Sequence, residues 1–276
     1  MQPLLPLDGI AGFRFLERSL ADQQNRFAAG PLVERELGYF RERIADIQSA
    51  EELVGDYRLL RVALGAFGLG DEVDKRFFLR RILEEGTGSP DALARKLVDP
   101  RYREFSAAFG FGDPGGARTG LPGFAEAIAE QYKVREFEVA VGEQNTDFRL
   151  ALELKRDIGA IAASPSASTA GWFRVMGSTP LRTVFEAALN LPGQVAQLDI
   201  ERQRDVFEER ALAVFGDRGV DQFTDPGKVD RLIERFFAVR SVDQSAVQSP
   251  LVGLFQPLAP LQSTGSQNRF TARLLP

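Results

Sequence analysis

Apolar residues recur along most of this chain with the period of an α-helix. After Pro180, residues Leu181, Val184, Phe185, Ala188 and Leu189 fall at i, i+3, i+4, i+7 and i+8, the spacing that lays side chains along one stripe of a helix. Val229, Leu232, Ile233, Phe236 and Phe237 repeat it. From Phe124 to Ala163 the pattern runs for some 40 residues without a proline, through Ile128, Tyr132, Phe137, Val141, Phe148, Leu152, Ile158 and Ile161. A continuous helix of that length would reach about 60 Å at ~1.5 Å per residue. Gly142 and Asn145 are the positions at which it would break or bend. In either form it is a spine on which shorter helices can pack. No run of alternating β-branched residues with an Asn-Gly or Asp-Gly turn competes with this reading.

The punctuation agrees. Ser49-Ala50-Glu51-Glu52 is a capping box, and Ser89-Pro90, Asp99-Pro100, Ser164-Pro165, Thr179-Pro180 and Asp225-Pro226 each set a capping oxygen before a proline suited to the first helical position. Gly68, Gly86, Gly110, Gly177 and Gly216 mark helix ends, where glycine takes the left-handed conformation. The stretch from Ser49 to Phe67-Gly68 resembles that from Ser89 to Phe109-Gly110, either as a degenerate helical-hairpin repeat or as the ordinary punctuation of helix-loop-helix segments. The fold class expected is all-α, an irregular bundle of capped helix-loop-helix units packed on a long central helix. The expected divisions are a mobile N-terminal segment (1–12), an N-terminal helical unit (13–112), the long central helix with its preceding loop (113–163), a C-terminal helical unit (164–240) and a flexible tail (241–276). In the tail the charged residues are Asp243, Arg269 and Arg273 among Gln, Ser, Pro and Gly, too little patterned surface to offset the entropy of ordering. Leu251 to Phe255 are nevertheless apolar enough to dock on a surface.

Composition restricts the chemistry more than the fold. The 276 residues contain no His and no Cys, so no disulfide, thiolate or His-assisted nucleophile, His-bound zinc or haem, or imidazole pH switch can be built. The 34 Lys and Arg against 39 Asp and Glu leave a net charge of −5, which argues against a nucleic-acid partner. The basic run Lys75-Arg76 with Arg80-Arg81 reads as a solvated helix face. No stretch is long and apolar enough to span a membrane. The first residues lack a basic region and include Pro3 and Pro6, unlike a signal peptide, so a cytoplasmic protein is expected.

The glycine-rich loop Gly112 to Gly120 lacks the Gly-Lys-Ser/Thr ending of a phosphate-binding loop and reads as a connection. The carboxylate pairs Glu138 with Glu143 and Glu153 with Asp157 could act across a cleft, yet acids interleaved with Arg149, Lys155 and Arg156 read as helix-surface ion pairs. No catalytic, cofactor-binding or metal-binding residue is assigned and no cofactor is expected. The candidate partner contacts are Trp172 and Phe173, between two loops, and Leu254 and Phe255 in the tail. For Trp172 and Phe173 the competing reading is core packing of a short helix.

Asp56-Tyr57-Arg58-Leu59-Leu60 through Ala63 to Leu69, then Asp99-Pro100-Arg101-Tyr102, Phe137 to Asn145, Arg149 to Leu152, Trp172-Phe173, Pro180-Leu181-Arg182, Leu189 to Pro192 and Asp199 to Gln203 together resemble an alphaproteobacterial family known as domain of unknown function 1217. The resemblance covers about residues 10–240. Members have no established activity, but their genes often lie among flagellar genes. The resemblance therefore implies a non-enzymatic, flagellum-associated structural, assembly or export-assisting component whose partners are other proteins, resident in the cytoplasm or exported through the flagellar channel. The alternatives are a cytoplasmic carboxylate-based enzyme or small-molecule binder, and a helical adaptor unrelated to motility. The oligomeric state stays open.

Overall fold

The computed structural model describes residues 2–247 and, among them, thirteen α-helices and no strand. One compact unit is Met1–Ser241; a second, Val242–Pro276, falls largely outside the described residues, as do Leu254 and Phe255. The helices are α1 (Gly9–Ala28), α2 (Pro31–Arg43), α3 (Ala50–Gly55), α4 (Tyr57–Ala66), α5 (Arg76–Glu85), α6 (Leu93–Lys96), α7 (Pro100–Phe109), α8 (Phe124–Gln144), α9 (Thr146–Ala162), α10 (Ala167–Gly177), α11 (Thr179–Ala188), α12 (Ile200–Phe215) and α13 (Pro226–Val247).

The spine is two helices, not one. Asn145 is extended, and its side-chain oxygen accepts a hydrogen bond from the Phe148 N–H to cap α9. The two helices fold back on each other from that corner. Gly142 lies so near Arg149 that a β-carbon there would stand 2.5 Å from the Arg149 Cδ. The expected long helix is therefore broken at one of the two positions marked for it, because a capping Asn satisfies the orphan N–H of a new helix start.

The α8–α9 hairpin serves two hydrophobic cores. Ile128, Ala129 and Tyr132 on the first half of α8 pack with α2 to α5 and α7, through residues such as Phe40, Leu60, Leu83, Phe105 and Phe109. Phe137 and Val141 on its second half, with Phe148, Leu154 and Ile158 of α9, pack with α1 and α10 to α13. The predicted stripes on α11 and α13 are all buried in this second core. Phe13, Phe148 and Phe237, from α1, α9 and α13, meet there with ring centroids 5.3–5.9 Å apart.

Caps hold where the chemistry demands them. Ser49 and Glu52 form the capping box, Asp99 caps α7 and α13 begins at Pro226. Ser89 and Ser164 instead accept bonds from the N–H groups of Asp91 and Ser166, making side-chain turns that begin four and three residues ahead of the next helix. Gly68, Gly86, Gly110 and Gly216 have positive φ; Gly177 does not. The glycine-rich loop is packed. A β-carbon at Gly112 would stand 2.3 Å from the Glu84 carbonyl oxygen, and Asp113 accepts bonds from the N–H groups of Thr87 and Gly88.

Two expectations about the ends are corrected. Residues 2–8 are tied down: the Gln144 amide donates to the Pro3 carbonyl at 2.9 Å, Leu4 exchanges bonds with the Gln23 side chain, and α1 starts at Gly9, inside the segment expected to be mobile. Only Pro3 of this segment is buried, while Leu4 and Leu7 stay more than half exposed, so hydrogen bonds to α1 and α8 hold it. At the other end α13 runs to Val247, past the expected start of the tail, since no proline or glycine stops it before Pro250.

Asp56 closes the turn between α3 and α4. Its carboxylate accepts bonds from the Arg58 and Leu59 N–H groups at 2.9 and 3.1 Å and from the Tyr39 hydroxyl at 2.5 Å. Desolvation pushes this carboxyl up, but Tyr39 and the two backbone donors outweigh it and hold it below its ordinary value. The resulting stabilisation is present above the unfolded carboxylate pKa and is lost as pH falls through the lower folded one. Asp56→Ala is expected to cost about 1–2 kcal/mol in urea unfolding at pH 7, a deficit that narrows below about pH 4.

Candidate functional site

The two cores part along the middle of α8, between Tyr132 and Phe137, and a cleft of about 250 Å³ opens there. Gly68, just past the end of α4, and the first turn of α7 line one side; α9, the last turn of α10 and the first turn of α11 line the other. Arg135 reaches it from α8 at the seam itself. The lining carries five arginines, Arg101, Arg135, Arg149, Arg156 and Arg174, and four acids, Asp99, Glu104, Glu153 and Asp157.

Most of these charges are matched. Asp99 takes two bonds from the Arg101 Nε and one from its Nη2, at 2.7–3.0 Å, while the Arg101 Nη1 donates to the Gly68 carbonyl. Glu153 accepts from Arg149 at 2.7 Å, and Asp157 accepts from Arg156 at 2.7 and 2.8 Å. Arg156 also donates to Glu138, which lies across the hairpin and is only 4% exposed. Of the candidate acids, Glu138, Glu153 and Asp157 are thus ion-paired as expected, but Glu138 and Glu153 are buried and not surface carboxylates. Glu143 is exposed and does not line the cleft.

Arg135 and Arg174 stand apart: neither makes a hydrogen bond or ion pair among the described residues. Desolvation and then the neighbouring Arg156 push the Arg135 guanidinium below its ordinary value. Glu104, at the mouth, is open to solvent on one side; desolvation by the cleft walls raises its carboxyl, partly offset by Arg135.

Trp172 is buried at 4% exposure and donates its indole N–H to the Arg218 carbonyl at 2.7 Å. It belongs to the core with Phe185 and Phe207, so the core-packing reading holds for it and it presents no exposed ring to a partner. Phe173 is half-buried, lies under the Arg204 guanidinium, and lines a second hollow of about 180 Å³ with Val98, Arg103 and Arg174. Sequence reasoning passed over Arg135 and Arg174. The available signal was Arg149, Glu153, Arg156 and Ala160, spaced so as to share one face of α9, a charged stripe beside the apolar one.

The fold and cleft define an all-α protein in which a hairpin joins two hydrophobic cores and leaves an arginine-lined seam between them. The chain belongs to the family described as "Protein of unknown function (DUF1217)", whose model matches residues 66–229, a span that contains every residue lining the cleft. Among solved structures, the X-ray structure of an Agrobacterium tumefaciens protein is similar, with a TM-score of 0.69 and 26% identity over 88% of this chain and 99% of that one. Its source fits the alphaproteobacterial character of the family. No curated protein matches the chain.

Proposed function

We propose that the chain is a non-enzymatic protein of the flagellar system, a structural, assembly or export-assisting component that works through protein contacts. The observation that carries the contact role is an exposed face where α4 begins and α5 runs. Phe77 is 74% exposed and Tyr57 47% exposed, with Arg80 and Arg76 each placed 5.9 Å over their rings. Leu79, Ile82 and Leu83 already anchor α5 in the interior, so Phe77 contributes nothing to the core. Aromatics interleaved with arginine are the side chains that concentrate binding energy at protein interfaces. The cleft supports the same reading against a carboxylate enzyme. Acid-base chemistry needs one carboxyl held neutral beside one free to accept a proton, whereas of the cleft acids Asp99, Glu153 and Asp157 are each held by a guanidinium, which leaves the raised carboxyl of Glu104 without a second free carboxylate to work with. The flagellar assignment rests on the genomic setting implied by the family resemblance.

Cross-linking the tagged chain in a flagellated native host is expected to recover rod, hook, export-gate or motor proteins. Phe77→Asp is expected to abolish that recovery while changing stability by no more than about 0.5 kcal/mol, as for other exposed positions. Recovery of no flagellar protein by a functional tagged chain overturns the flagellar role, and recovery unchanged by Phe77→Asp overturns the docking face.

A further inference from the structure

Among the described residues, the Arg135 side chain in the cleft has no hydrogen-bond or ion-pair partner. The Nη1 atoms of Arg135 and Arg101 stand 3.0 and 3.5 Å from the point a Gly68 β-carbon would occupy, so the two guanidinium groups lie side by side over a glycine. Arg101 is satisfied by Asp99 and by the Gly68 carbonyl, whereas Arg135 has no such partner. A guanidinium cannot shed its proton to escape desolvation, so a half-buried, unpaired one such as Arg135 is a standing cost that an anion would remove. Protein acids do not come close enough: Glu104, Glu153 and Asp157 act on Arg135 only at a distance, and the last two are engaged by Arg149 and Arg156.

Arg174 lines the same space and, among the described residues, is likewise unpaired. With the matched pairs set aside, the lining is left with two free cations, Arg135 and Arg174, against one acid, Glu104. The first turn of α11 also opens here, and its Ser178 makes no capping bond, adding the partial positive charge of a helix start. The volume of about 250 Å³ far exceeds what one water needs, ~30 Å³ in the liquid, and falls just below the range of about 300–1,000 Å³ typical of drug-sized ligands.

We propose that this cleft binds a small molecule through an oxyanion, a phosphate or carboxylate group engaged by Arg135 and Arg174. The site lies away from the Tyr57–Phe77 face and does not depend on it. A planar fork suits either oxyanion, since guanidinium matches phosphate and carboxylate geometry alike.

The test is thermal unfolding and titration calorimetry of the full chain with inorganic phosphate in one arm, malonate in another and sodium chloride at matched ionic strength as the reference. Phosphate or malonate is expected to raise the melting temperature above the chloride reference and to give a saturable isotherm. A response to phosphate alone assigns a phosphate-bearing ligand, a response to malonate alone a carboxylate. Arg135→Met is expected to weaken binding by about 10- to 100-fold, the worth of a hydrogen bond to a charged group. Its melting temperature without ligand should be unchanged or higher, because an unpaired desolvated charge is gone; that separates lost binding from lost folding. Arg174→Met should weaken binding independently. No rise above chloride with either anion, or binding undiminished in both variants, overturns the proposal.

Discussion

Phe148→Ala is expected to lower the unfolding free energy by about 3–5 kcal/mol, a large share of the ~5–15 kcal/mol that holds a typical domain together. Phe148 is fully buried in the first turn of α9 and contacts Phe13 of α1 and Phe237 of α13 edge-on. Those three rings join helices that are far apart in sequence, so the contact closes long loops that nothing local would close. The seat is cut to the ring. A β-carbon on Gly12 would lie 2.8 Å from the Phe148 Cζ, and the same position would meet the Leu7 carbonyl oxygen at 1.9 Å. Removing the ring leaves a hole between Phe13 and Phe237, whose backbones are fixed by their own helices. A site that cannot collapse loses cavity energy in addition to transfer energy. Urea unfolding should show the midpoint fall with an unchanged m-value. A cost below about 1 kcal/mol would mean that the three-helix junction closes over the gap.

What was legible in the sequence is what short range decides. The stripes of α11 and α13 were readable because residues three and four apart share a face whatever the rest of the chain does, and all ten are buried. Asp99 and Asp225 announced their helices for the same reason. The break at Asn145 was marked but not decided, since an Asn can sit in a helix or cap one, and the choice falls to the contact of Gly142 with Arg149 and of Glu138 with Arg156. Trp172 could have faced either way until Phe185, Phe207 and the Arg218 carbonyl, all distant in sequence, gave its ring and its N–H partners in the core. Arg135 was least legible. Between Val134 and Glu136 it reads as one more helix charge, and only the meeting of two cores on α8 turns that position into a seam.

Arg156→Met is expected to cost about 3–5 kcal/mol because it strands a buried carboxylate. Glu138 is 4% exposed, and Arg156 is its hydrogen-bond and ion-pair partner across the hairpin. Asp157, which the same guanidinium holds, is one-third exposed and can return to water, so the loss concentrates on Glu138. One effect works the other way: Arg156 disfavours the charge on Arg135, and its removal relieves that repulsion. The relief is smaller, since it acts between groups that make no contact within ion-pair distance, whereas Glu138 loses its donor outright. The double variant Glu138→Leu with Arg156→Met separates the two terms. Replacing both partners of a buried pair by apolar groups of similar size is often neutral, so the double variant should recover most of the deficit. A double-mutant cycle in urea should therefore give a coupling of several times the ~0.5 kcal/mol expected for independent sites. A single-variant cost under about 1 kcal/mol would show that Glu138 reaches another donor or solvent once Arg156 is gone. The hairpin would then be held by packing at Phe137, Val141 and Ile158 alone.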